Sequence, residues 1–107
     1  MTVFISTGFS GKTEEEVRKT IKKAEERAKE KYPEFADAEF IHNYDYTGDG
    51  VERHPDNQKV RFIAEAIRRI SNCEAVLFVD NWPDFRGCQV EMFVCDAYGI
   101  PTYEIDV

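Results

Sequence analysis

The chain is short of several things, and each shortage excludes something. Its 107 residues include only two histidines and three cysteines, and 14 basic residues stand against 21 acidic ones. The net charge of -7 and the pI of 4.8 argue against a nucleic-acid backbone or an anionic membrane as partner, because both need a positive field. Small anions stay open, since a local nest of backbone amides can bind them. No apolar run approaches the roughly 18 residues of a membrane span. No signal peptide is expected either, because Met1 leads straight into a short strand and then a charged helix. Cys73, Cys88 and Cys95 are odd in number and form no Cys-x-x-Cys pair, so a reduced, cytoplasmic compartment is the simpler expectation. His42 and His54 are too few and too scattered for a metal site.

What is present suits one domain spanning residues 1–107, large enough for a real core but not for two. Val3 to Ser6 reads as a first strand and Thr7-Gly-Phe-Ser-Gly11 as a turn-rich loop. Thr13 followed by Glu16 is a capping-box pattern, and Val17, Ile21, Ala24 and Ala28 recur at helical spacing up to a stop near Pro33. Ala38 to Ile41 is a second strand, followed by a polar loop from His42 to Pro55. Asp56 is the expected N-cap of a helix burying Val60, Ile63, Ala64, Ile67 and Ile70. The continuous apolar run Ala75 to Val79 suits a central parallel strand. Gln89 to Tyr98 reads as a third helix, closed by Gly99 and Pro101, and Thr102 to Ile105 as a last strand. The alternation predicts a three-layer α/β fold, flavodoxin- or Rossmann-like: about four parallel strands with helices on both faces.

Several segments carry possible chemistry. Ser6-Thr-Gly-Phe-Ser-Gly-Lys12-Thr13 is similar to the end of a phosphate-binding P-loop, but Ser6 occupies the first Gly position and breaks the match. A Gly-rich loop between strand and helix can still hold an anion or sugar through its amides. Asp45-Tyr-Thr47-Gly-Asp49-Gly50, with Asp56 in twelfth place, is similar to a calcium loop, yet a strand precedes it where a helix belongs. It reads better as a turn-rich polar loop, whose His42, Tyr44 and Tyr46 are placed to help line a pocket. Cys73 and Cys95 read as core residues, and Cys88 has no histidine at a suggestive spacing. Trp82 either covers the core or stacks on a flat ligand. Glu91 follows Gly87 in the first turn of a helix at the carboxyl end of a strand, where open α/β sheets bind ligands. There the helix dipole favours a carboxylate and keeps it ionised.

The run Val3-Phe-Ile-Ser-Thr-Gly-Phe-Ser-Gly11 follows, without gaps, the pattern Ile-Tyr-Ile-Ala-Gly-Pro-Met-Ser-Gly. Further on come Cys73-Glu74, Trp82, Arg86-Gly87-Cys88, Glu91 and Gly99-Ile-Pro101 in matching order. Together these resemble the short phage and bacterial relatives of the nucleoside 2-deoxyribosyltransferase superfamily. The resemblance covers both ends of the chain, while the middle, 32–58, matches weakly. It implies that Glu91 attacks C1 of deoxyribose and then passes the sugar to another base or to water. It implies that Asp80 protonates or hydrogen-bonds the leaving base, and that Trp82 and Phe9 are stacking walls. Ser6, Gly8, Ser10, Arg86 and Gly87 would hold the sugar or a 5'-phosphate. The ligand is then a small-molecule nucleoside or nucleotide, with no cofactor and no metal, in a homo-oligomer whose neighbouring subunit helps close the pocket. Three positions depart from the pattern. Phe4 replaces a tyrosine that orients the nucleophile, Phe85 replaces a loop aspartate (Asp84 is adjacent), and Cys88 replaces a small residue. The first two departures favour a module that only binds or sequesters a nucleotide-derived ligand. Retention of Asp80 with Glu91 favours catalysis.

Overall fold

A computed structural model describes residues 1–46 and 57–107. Strand β1 (Thr2–Ser6) leads to helix α1 (Glu14–Lys31), β2 (Glu39–Ile41), α2 (Gln58–Ile70), β3 (Ala75–Val79), α3 (Arg86–Tyr98) and β4 (Thr102–Ile105). Short 3-10 turns at Pro33–Phe35 and Trp82–Asp84 precede β2 and α3. The strands form one all-parallel sheet in the order β2-β1-β3-β4, giving the Rossmann-like α/β architecture expected from the alternation.

The strand order explains the layers. The chain moves from β1 to one side for β2, then reverses to the other side for β3 and β4. Right-handed crossovers therefore put α1 on one face and α2 with α3 on the other. Strand alternation sorts the core accordingly. Val3, Ile5, Ala75, Leu77 and Val79 pack with Val17, Ile21, Ala24 and Ala28 of α1. Phe4, Val76 and Phe78 pack with Ala66 and Ile70 of α2 and Cys95 of α3. Ser6 shares the parity of Phe4 and pairs with Phe78, so it belongs to the α2/α3 face. All five residues of β3 are buried, as a strand covered on both sides requires.

The helix signals translate directly for α1. Thr13 Oγ1 accepts the Glu16 N–H at 3.2 Å, acidic residues fill the first turn, and Lys29 and Lys31 lie in the last. The other two helices correct the expectation. In α2 the buried residues are Ala66 and Ile70, with Ile63 and Ile67 half-buried. Val60 is 63% exposed and Ala64 is exposed as well. The sheet-facing row runs 63, 66, 67, 70, which leaves Ala64 off it, and Val60 sits in the first turn. The expected Asp56 cap and the calcium-like loop beyond Tyr46 lie outside the described residues. Helix α3 starts at Arg86 rather than Gln89, with Phe85 in extended backbone at its cap. Gly87, a weak helix former, hid this start and lies within the helix, facing Ile63 of α2. Cys88 is consequently helical and buried, and Glu91 falls in the second turn. No described helix is long and apolar enough to cross a membrane.

Candidate functional site

The reversal of strand order between β1 and β3 opens a crevice at the carboxyl ends of these two strands, the place where open α/β sheets take ligands. Ser6 closes β1 there, and α3 follows β3 across it. The sheet-facing stripe of α3 is Cys88, Glu91 and Cys95. Glu91 is thus a carboxylate in a row that packing alone would fill with apolar side chains. It is only 7% exposed, and Ser6, 1% exposed, donates its hydroxyl to Glu91 Oε2 at 2.9 Å.

Burial pushes Glu91 up to about 7, with the Ser6 hydroxyl pulling the other way. The sequence suggested a carboxylate kept ionised by a helix start. The earlier start of α3 removes that support, because the unpaired N–H groups lie in the first turn and the dipole fades beyond it. Near neutral pH Glu91 is therefore poised between acid and carboxylate, able to trade a proton or to attack an electrophilic carbon. The neighbouring sulfur offers no rival nucleophile. Burial raises the Cys88 thiol to about 11, against a smaller downward pull from Ser6, and burial also raises Cys95 to about 11.

Glu91 lines a cavity of about 20 Å³ together with Phe4, Thr7, Phe9, His42, Asn43, Tyr44 and Phe62. That volume holds about one water molecule. Phe9 forms its aromatic wall, meeting Tyr44 and Phe62 edge-on at 5.2 Å each. His42 Nδ1 accepts the Tyr44 N–H at 3.1 Å, and burial holds this histidine below its ordinary value, so it serves as a neutral acceptor. Asn43 is buried; its Nδ2 donates to the Phe62 carbonyl at 2.9 Å, while Oδ1 has no partner among the described residues. Asn43, Thr7 and Phe62 were not singled out from the sequence. Asn43 and Thr7 lie just past the ends of β2 and β1, a position that topology marks and composition does not.

The remaining candidates lie outside this lining. Gly8 lies under the ring of Phe85, where an added Cβ would come within 2.0 Å of it. Lys12 Nζ sits 5.5 Å from the centre of the same ring. Phe85 thus bridges the first loop and the loop after β3. Trp82 packs 5.2 Å from Phe78, and its indole N–H donates to Glu104 Oε1 at 2.7 Å. It covers the end of the α2/α3 core and does not line the Glu91 cavity. Asp80 directly follows β3 and is half-buried, its backbone N–H bonded to the Ile105 carbonyl at 3.0 Å, and it too lies outside that lining. Asn81 beside it takes the left-handed conformation that turns the chain into the 3-10 segment. Ser10 is exposed in the turn that the Lys12 N–H closes on the Phe9 carbonyl, and Arg86 is exposed at the start of α3. The structure thus brings Ser6, Phe9 and Glu91 together, while Asp80, Trp82, Ser10 and Arg86 lie outside the cavity lining. Among the described residues no three His, Cys, Asp or Glu side chains converge as a metal site. Cys73 and Glu74 lie at the opposite end of the sheet, where Glu74 accepts the Thr2 N–H at 2.6 Å. No protein-family model matches this chain, and neither does any curated protein or solved structure.

Proposed function

We propose that this domain cleaves or exchanges the N-glycosidic bond of a (deoxy)nucleoside or its monophosphate, with Glu91 as nucleophile. One observation carries the reading: a buried carboxylate, held by Ser6 and poised near neutrality, stands at the crevice between β1 and β3. Structure-only packing would not keep a titrating group there, and perturbed carboxylates in a cleft are candidates for chemistry. The motif resemblance supplies the substrate class.

In this reading ionised Glu91 attacks C1 of the sugar as the carbon–nitrogen bond breaks, and the bonding pair leaves with the base. The base takes a proton from Asp80 or solvent. Water or a second base then attacks C1, and Glu91 leaves as carboxylate. The first-loop amides, Gly8, Ser10 and Arg86 hold the sugar or its phosphate. A nucleoside needs a pocket of about 300 Å³ or more, so Phe9 and Phe85 must swing aside to admit it. The reading requires no cofactor, belongs to the cytoplasm and takes a homo-oligomer as the working form.

A second reading, a module that binds a nucleotide-derived ligand without cleaving it, draws on three observations. Phe4 brings no hydroxyl to Glu91, Phe85 fills the gap over Gly8, and the Trp82 indole is committed to Glu104. Intact-protein mass spectrometry after acid quench, across a panel of nucleosides and monophosphates, separates the two. A sugar-sized adduct that is absent from Glu91→Gln supports catalysis. A melting-temperature rise with the same panel and no adduct or free base supports binding alone.

A further inference from the structure

We propose that the sugar taken by this site is ribose, with the amide oxygen of Asn43 accepting the 2'-hydroxyl. The inference rests on the glycosidic reading of Glu91 and narrows its substrate to a ribonucleoside or its monophosphate. It begins with an amide that is only half used. Asn43 is 5% exposed, and its Nδ2 donates to the Phe62 carbonyl at 2.9 Å. That bond fixes which way the amide faces, because the flipped amide would set oxygen against oxygen. Oδ1 is enclosed and has no partner among the described residues. The residue is also held in place. Its carbonyl accepts the Tyr46 N–H at 3.1 Å, and Arg69 of α2 donates to the adjoining His42 carbonyl at 2.6 Å. Buried amide oxygens are nearly always paired, so a fixed one without a partner marks a place for a donor from outside the chain.

The attack on C1 says which donor that is. Asn43 and Glu91 line the same cavity of about 20 Å³, so a group that satisfies Oδ1 there lies beside the carbon that Glu91 attacks. Phe9, which must swing aside to admit a nucleoside, is another wall of this cavity. In a β-nucleoside the base leaves from one face of the sugar and the carboxylate arrives on the other. The ribose 2'-hydroxyl is on the carbon next to C1 and stands on the face of arrival. The 3'-hydroxyl is one carbon further away, and the 5'-hydroxyl projects from the face that carries the base. Deoxyribose has only hydrogen at C2, and arabinose carries its 2'-hydroxyl on the opposite face. Hydrogen bonds to the 2-hydroxyl strengthen as a glycosidic bond breaks. A sugar without it leaves Oδ1 buried and unpaired, which is how a polar site rejects an analogue lacking one hydroxyl. The motif resemblance points to deoxyribose; the unpaired Asn43 oxygen is what favours ribose here.

Base release is measured from ribosyl, 2'-deoxyribosyl and arabinosyl nucleosides of the same bases and from their 5'-monophosphates, with wild type and Asn43→Ala. Wild type is expected to favour the ribosyl form over both others by at least about a hundredfold in kcat/KM. Asn43→Ala should narrow that preference to within about fivefold. The wild-type ratios decide the matter alone if the variant does not fold. Deoxyribosyl or arabinosyl substrates cleaved as fast as ribosyl ones would overturn the assignment and leave the glycosidic reading standing, with a resident water as the partner of Oδ1. An Asn43→Ala variant that keeps the full preference would overturn it as well. Should wild type release no base from any substrate, the glycosidic reading fails, and melting temperatures with the same panel decide the role of Asn43. A larger rise with the ribosyl ligand, lost in Asn43→Ala, supports it. Equal rises, or none, overturn it.

Discussion

Ser6 and Glu91 are 85 residues apart in sequence and 2.9 Å apart in space. Their bond joins the end of β1 to the second turn of α3, across the crevice at which the strand order reverses. The neighbours of Glu91 on its stripe are thiols, and the cavity wall beyond it is largely aromatic. Desolvation therefore outweighs the single hydroxyl and draws the carboxyl towards neutrality.

That shift has a measurable sign. The folded protein holds a proton on Glu91 up to about 7, whereas an ordinary carboxyl loses it near 4.5. Its contribution to stability is complete below about 4.5 and is lost as pH rises through about 7, a loss of about 3 kcal/mol. Glu74 has the opposite slope because the Thr2 N–H holds it low. The difference between wild type and Glu91→Gln isolates the effect. Urea unfolding should show Glu91→Gln gaining about 3 kcal/mol relative to wild type between pH 4 and pH 8. Carboxyl-carbon NMR should show one glutamate titrating near 7, absent from the variant.

Removing the hydroxyl should exaggerate this behaviour. Ser6→Ala takes away the bond that favours the ionised form, so the Glu91 midpoint should move further up. Destabilisation should be about 1–2 kcal/mol at pH 8 and smaller at pH 5, where the carboxyl is already protonated. An equal loss at both values would mean that Ser6 contributes packing only.

Gly8 and Phe85 should be strongly coupled. The backbone of Gly8 is not left-handed, so alanine is acceptable there except for the ring lying on it. Gly8→Ala should cost about 1–3 kcal/mol in the wild-type background. In a Phe85→Ala background it should cost less than about 0.5 kcal/mol. Additive costs would show that another contact limits this position.

Much of the framework was legible because single segments encode it. The β3 run Ala75–Val79, the Thr13 cap and the α1 row Val17, Ile21, Ala24, Ala28 each state their own environment. The start of α3 was obscured by Gly87, whose weak propensity reads as loop, and that small displacement changed the physics of Glu91 from dipole-supported to desolvated. The α2 face was over-read because every apolar residue was assigned inward, although Val60 lies exposed in its first turn. Asn43 and Phe62 were not legible, since only the folding together of β2, α2 and the first loop makes them neighbours.

The most direct measurement is release of free base from a panel of nucleosides and their monophosphates, comparing wild type with Glu91→Gln. The account predicts that wild type releases base from at least one member and that the rate rises with pH through about 7 as Glu91 ionises. Glu91→Gln, folded and still binding that ligand, should lose at least about a thousandfold in rate. A Glu91→Gln variant that releases base as fast as wild type would contradict the assignment of Glu91 as nucleophile. A wild type inert towards the whole panel would contradict the glycosidic chemistry itself.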